Sequence, residues 1–236
     1  MIRIIIKERK RYEMISGCFI LVYDPLCSRK MHIGGIEMDT SQIEQLVNEQ
    51  KVFFETHSTY SLIFRKQMLL KLKTAIQKYE QQFYEAVKKD LGKSPTETYM
   101  CELGLIYKEF DYLEKNLDRL AAPQKTKTPL FLFFAHSEIR HDPYGSVLIV
   151  SPWNYPLLLT FQPLIEALAG GNTAVIKPSD YSVNTSQVIQ KMITDIFPSS
   201  YVAVVLGGRV QNEALFHQPF DYIFYTGSPA VGKLCM

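Results

Sequence analysis

The chain has 236 residues, of which 47% are hydrophobic and 21% charged, with a formal net charge of +2. That length suffices for a hydrophobic core in one large domain or two small ones. The near-even charge gives no basis for nucleic-acid binding or attachment to a membrane surface; no apolar run approaches the roughly 20 residues of a membrane span; and the four cysteines (Cys18, Cys27, Cys101, Cys235) have neither zinc spacing nor a disulfide framework, which points to the reducing cytoplasm.

Residues 1–37 stand apart. Met1–Arg11 is Ile-rich and basic, and Ile15–Tyr23 is a short apolar run. Glu8, Glu13 and the lack of a small-residue cleavage site argue against a signal peptide. Gly34-Gly35, just ahead of Ile36-Glu37-Met38, is what a translated GGAGG ribosome-binding site would encode. Met38 is therefore expected to be the true start, with 1–37 an extension outside the native fold. Glycine codons that do not spell GGAGG would remove this expectation.

From Met38 the pattern is helical. Asp39, Thr40 and Ser41 offer N-cap oxygens, and Ile43, Leu46, Val47, Gln50, Phe53 and Phe54 recur at helical spacing. His57–Ser61 breaks the run. A second helix carries Leu62, Arg65, Met68, Leu69, Leu72, Ile76 and Tyr79, and continues or restarts through Phe83 to Leu91-Gly92, where glycine suits a C-terminal stop. After Lys93-Ser94-Pro95, Thr96 starts another amphipathic helix with Tyr99, Leu103, Ile106, Phe110, Leu113, Leu117 and Leu120 on one face. Glu102, Lys108, Glu109, Asp111, Glu114, Lys115 and Asp118 read as its solvated face.

Ala121–Thr128 is a linker, Leu130–Ala135 an apolar, aromatic run, and Pro143-Tyr144-Gly145 a turn. These predict an extended arm or hairpin at about 124–145 with an exposed hydrophobic edge, which is normally paired, often with another chain. His136 and His141 have no acid or Cys partner at ligand spacing, so no metal is expected.

A regular alternation follows: strand 146–150, helix 157–169, strand 173–176, helix 185–197 capped by Asn184 or Thr185, strand 201–206, helix 209–217 and strand 222–225. Continuous apolar runs such as Val147–Val150 fit strands buried on both faces, and units of this length build a parallel sheet. The strands end in Ser151-Pro152-Trp153-Asn154, Lys177, Gly207-Gly208 and Thr226–Gly232. In an open parallel sheet these ends share the edge where ligands bind. Asn154 offers an amide donor that is neutral at any pH, suited to an oxyanion; it also suits a plain turn. Lys177 suits ribose hydroxyls or a phosphate, and equally a solvated position before a turn. Gly227–Gly232 is a glycine turn entering a helix, where free N–H groups favour an anion, though it lacks both G-x-G-x-x-G and the P-loop lysine.

Three segments carry a specific likeness: S-P-W-N-Y-P at 151–156, A-L-A-G-G-N-T-A-V-I-K-P-S-D at 167–180 and Y-T-G-S-P-A-V-G-K at 225–233. With D-L-G-K-S-P at 90–95 and E-L-G at 102–104, the chain from Met38 to Met236 resembles the aldehyde dehydrogenase superfamily, closest to its class 3 branch of fatty and aromatic aldehyde enzymes. The resemblance implies a Rossmann-like α/β parallel sheet preceded by an all-helical segment and an oligomerisation arm, the NAD(P)-binding domain at 38–236 of an enzyme truncated before its catalytic domain. It implies oxidation of aldehydes to carboxylates with NAD or NADP: a cysteine thiolate attacks the carbonyl, hydride passes to the nicotinamide, and a glutamate-activated water hydrolyses the thioester. Asn154 would be the oxyanion donor. Lys177 would hold the adenosine ribose, with Asp180 beside it. Gly227, Ser228 and Gly232 would lie by the pyrophosphate, Trp153 would shape the floor of the cleft, and Ser151 and Gly207 would line it.

Two departures matter. Asp180 stands where the family usually has glutamate, and its shorter arm implies tolerance of NADP. The family's E-L-G-G-K and G-x-C motifs follow the glycine turn and have no counterpart here, and Cys101 and Cys235 lie outside the nucleophile's context. The expected whole is a cytoplasmic homodimer acting on a small-molecule aldehyde, with this portion inactive alone. The rivals are an acyl-phosphate or acyl-thioester reductase relative, against which W-N-Y-P argues, and a non-catalytic nucleotide-binding module.

Overall fold

The computed structural model describes residues 3–4, 38–132 and 134–233. The extension at 1–37, apart from Arg3–Ile4, and Cys235 lie outside the described residues. The described residues form two compact units.

The smaller unit holds three short strands, β1 (Arg3–Ile4), β2 (Gln124–Thr126) and β3 (His136–Ile139), in the order β1-β3-β2. β2 and β3 are antiparallel, with Gln124 opposite Ile139. This is the hairpin read from the sequence, but it ends at His141; Pro143–Gly145 belongs to the larger unit. Leu130, Phe131 and Phe134 are 89%, 81% and 86% exposed.

The larger unit begins with α1 (Thr40–Glu55). Asp39 accepts the Gln42 N–H while the Gln42 side chain accepts the Asp39 N–H, a reciprocal cap. Ile43, Leu46, Val47 and Gln50 turn inward. α2 (Leu62–Leu91) runs unbroken for 30 residues and stops at Gly92, whose φ of +71° only glycine adopts freely.

α3 (Pro95–Thr98) and α4 (Gly104–Ala121) are separated by one π turn, Tyr99–Leu103, closed by the Gly104 N–H on the Tyr99 carbonyl. Such a turn inserts a residue and rotates the faces around it. It corrects the sequence reading at two positions: Glu102, assigned to the solvated face, is fully buried, and Tyr99, assigned to the core stripe, is 46% exposed; Leu120, also assigned to that stripe, lies in the last turn of α4 and is 39% exposed. Ile106, Phe110, Leu113 and Leu117 do face the core.

The alternation that follows is β4 (Ser146–Val150), α5 (Leu158–Ala169), β5 (Thr173–Lys177), α6 (Val183–Ile196), β6 (Val202–Val204), α7 (Arg209–Phe216), β7 (Tyr222–Tyr225) and the short α8 (Pro229–Gly232). The strands pair in parallel in the order β6-β5-β4-β7. Alternate residues face opposite layers: Val147, Ile149, Ala174, Ile176, Val202 and Val204 pack with α2, α4, α5 and α6, and Leu148, Val150, Val175, Ala203 and Val205 pack with α1 and α7. Cover on both faces explains the continuous apolar runs. α6 starts at Val183, ahead of the Asn184 or Thr185 cap expected from the sequence. Its acceptor is remote: the Asp90 carboxylate at the end of α2 takes the Asn184 and Thr185 N–H groups. Among the described residues no helix is long and apolar enough to cross a membrane.

Candidate functional site

The strand order sets the site. β4 leads to β5 on one side, and β7 is added on the other, so the order reverses at β4. A crevice at the carboxyl ends of such strands is where open α/β sheets bind ligands. The ladder runs to that edge: Val150 lies opposite both Lys177 and Tyr225, the Ser151 N–H donates to the Lys177 carbonyl at 3.2 Å, and the Thr226 N–H donates to the Val150 carbonyl at 3.2 Å. The segments carrying Asn154, Lys177 and the 227–232 bend therefore leave three adjacent strands at one edge.

The turn after β4 is held from several sides. The Ser151 hydroxyl is buried and shares a 2.6 Å hydrogen bond with Thr160 on α5, so its side chain ties strand to helix. Trp153 is 47% exposed. Asn154 is half-buried, and its Oδ1 accepts the Tyr155 N–H at 3.1 Å. The Asn154 carbonyl accepts Lys93 Nζ at 2.7 Å. Glu102 Oε2 accepts the Leu157 and Leu158 N–H groups, at 2.8 and 3.2 Å, at the start of α5.

Lys177 is only 2% exposed and its ammonium donates to the Pro178 carbonyl at 2.8 Å. This excludes the solvated lysine that the sequence left open; a lysine is rarely buried without a specific purpose. Asp180 is exposed, and its Oδ2 lies 3.2 Å from where a Cβ on Gly208 would stand. Gly207 has φ +127° and a Cβ there would meet Gln211 Oε1 at 2.4 Å, while that oxygen caps the Gly208 N–H at 3.0 Å. Gly207 and Gly208 follow β6, one strand beyond β5. A Cβ on Gly227 would meet the Tyr225 hydroxyl at 2.2 Å; that hydroxyl donates to the Ser228 carbonyl, and Ser228 Oγ caps the Val231 N–H at 3.4 Å. Gly232 ends α8 against the same Tyr225 ring.

Two helix N-termini at this edge are already filled. Glu102 takes the first N–H groups of α5, and Asp90 those of α6. At the two glycine turns, Gln211 Oε1 takes the Gly208 N–H and Ser228 Oγ the Val231 N–H. Lys93, Glu102, Asp90 and Tyr225 received no role from the sequence. The only signal for the first three was their place in D-L-G-K-S-P and E-L-G. Cys101, the one free cysteine among the described residues, is half-buried in the π turn.

Residues 17–236 match the aldehyde dehydrogenase family, a match that begins ahead of Met38. The chain is 44% identical over 192 residues to the 4,4'-diaponeurosporen-aldehyde dehydrogenase of Staphylococcus aureus, covering 81% of this chain and 42% of that protein. It is 38% identical over 200 residues to mouse aldehyde dehydrogenase family 3 member B3, covering 85% and 42%. The substrate-bound structure of Staphylococcus aureus AldH superposes with a TM-score of 0.80 at 44% identity, covering 82% of this chain and 42% of that one. The chain thus spans about 42% of the length of these relatives. A parallel sheet ordered β6-β5-β4-β7, the W-N-Y-P turn at its reversal point and a match over nearly the whole sequence lead to one assignment: this chain belongs to the aldehyde dehydrogenase family.

Proposed function

We propose that the whole protein oxidises a small-molecule aldehyde to a carboxylate with NAD or NADP, and that residues 38–236 supply the cofactor-binding domain and the oxyanion donor. The observation that carries this is the place of Asn154: it is half-buried, follows the end of β4 where the strand order reverses, and has its Oδ1 engaged by the Tyr155 N–H, so that its amide nitrogen is the group left to donate. A fixed, neutral donor stabilises negative charge developing on a carbonyl oxygen.

The residues present suit a dinucleotide. Glycine at 207, 208 and 227 lets these turns pack closely on Gln211, Asp180 and the Tyr225 hydroxyl, which a Cβ there would crowd. Lys177 places a buried cation at the edge for ribose hydroxyls, with Asp180 beside the Gly207-Gly208 turn. Ser228 and Gly232 frame the bend for the pyrophosphate, Trp153 shapes the cleft, and Ser151 fixes the strand end. The cofactor, when bound, would supply the hydride acceptor. The nucleophilic cysteine and the base would come from other parts of the whole protein, since no cysteine of 38–236 sits in a G-x-C context. The whole is proposed to be cytoplasmic and a homodimer through the hairpin at 123–141.

Asn154→Ala in the whole protein is expected to lower kcat by about 10²–10³-fold, with NAD affinity held within about twofold by titration. An unchanged kcat would overturn the assignment.

A further inference from the structure

Asn154 projects from a loop, and a loop holds a donor poorly unless other groups fix its backbone. Two charged side chains do so here. Lys93 follows the Gly92 cap of α2, and Glu102 is turned inward by the π turn. Glu102 is fully buried and Lys93 nearly so, with side-chain exposures of 0% and 12%. A buried carboxylate persists only when paired and hydrogen-bonded. Glu102 Oε1 accepts Lys93 Nζ at 2.9 Å, and Oε2 accepts the N–H groups of Leu157 and Leu158. The same ammonium donates to the Asn154 carbonyl at 2.7 Å and lies 4.1 Å from the centroid of the Tyr155 ring. One ion pair thus grips both ends of the turn: the carbonyl of Asn154 on one side and the first amides of α5 on the other.

We propose that Lys93 and Glu102 are positioning residues that aim the Asn154 amide. The proposal rests on Asn154 being the oxyanion donor. Neither residue needs to touch the substrate. A displacement of about 1 Å at a catalytic group costs up to 10²-fold in rate, and release of the Asn154 carbonyl frees the turn at that residue. The roles of the two differ. Glu102 also caps α5, so its loss disturbs the helix, whereas Lys93 contacts α5 only through Glu102. Lys93 is therefore the cleaner probe.

The test is a double-mutant cycle in the whole protein with Lys93→Met, Asn154→Ala and the combination, measuring kcat, KM for an aldehyde and Kd for NAD. Lys93→Gln, which keeps one hydrogen-bond donor, is the milder second variant should Lys93→Met fail to fold. The expected result is a roughly 10- to 100-fold lower kcat for Lys93→Met and a smaller loss for Lys93→Gln. KM and Kd should stay within about twofold, and the double variant should be no worse than Asn154→Ala alone. A neutral Lys93 series beside a damaged Asn154→Ala would overturn the positioning role alone, as would losses that multiply. A neutral Asn154→Ala would overturn the oxyanion assignment and this proposal together.

Discussion

Asp90 Oδ2 accepts both the backbone N–H and the hydroxyl of Thr185, each at 2.7 Å. Its other oxygen takes the N–H and side-chain amide of Asn184. The end of α2 is thus the cap of α6, ninety-odd residues away. Asp90→Ala should strand these donors and cost about 2 kcal/mol, the scale of a lost charged N-cap. Urea unfolding of the purified protein measures this; a variant with the parent's midpoint would show the cap to be dispensable.

Asp39 gives the protein an acid-sensitive start. The Gln42 N–H, then the Ser41 side chain, hold its carboxyl below the ordinary value of 3.8. A depressed acid contributes stability that is present above its unfolded value and lost as pH falls through the folded one. Asp39→Asn keeps an acceptor at the cap but does not titrate. Its melting temperature should therefore fall less than the parent's on acidification below about pH 4. Superimposable curves from pH 6 to 3 would remove Asp39 from the account.

Asp180 lies exposed beside Gly208, one carbon shorter than the glutamate of the family pattern. A shorter carboxylate leaves more room and less repulsion for a 2′-phosphate. Asp180→Glu in the whole protein should raise the NAD-over-NADP ratio of kcat/KM by about tenfold, roughly one good hydrogen bond to a charged group. A parent that already excludes NADP under equal conditions would contradict the premise.

The hairpin exposes Leu130, Phe131 and Phe134 almost completely. Large apolar side chains clustered in this way mark contact surfaces. Phe131→Ser with Phe134→Ser should shift the whole protein toward monomer in sedimentation velocity by at least tenfold in dissociation constant. Retention of the parent's mass distribution at low concentration would place the interface elsewhere.

The sheet was legible because its signal is local. Val147–Val150 and Ala174–Ile176 are apolar runs that only a doubly covered strand requires, and each is followed by a polar residue, Ser151 or Lys177. β6 is shorter than its run suggests, yet Tyr201–Leu206 is buried throughout. Glu102 was misread because periodicity assumes an unbroken 3.6-residue repeat, and the π turn at 99–103 breaks it. Asp90 and Lys93 gave no readable role because their partners are backbone groups far along the chain. Periodicity registers neighbours three or four apart and is blind to such pairs. Lys177 was ambiguous for the opposite reason: an ammonium next to Pro178 looks alike in sequence whether its stem is buried or bathed in water.

The central strand β4 is joined by β5 and β6 before β7 is even encoded. Translation delivers the chain in that sequence, so a ribosome releasing residue 205 has exposed everything needed for the three-stranded portion. The gap beside β4 is filled only after Asp221 emerges, by a pairing that spans over seventy residues and is correspondingly slow to close. The β4–β7 crevice should therefore take shape only after the three-stranded portion is already compact.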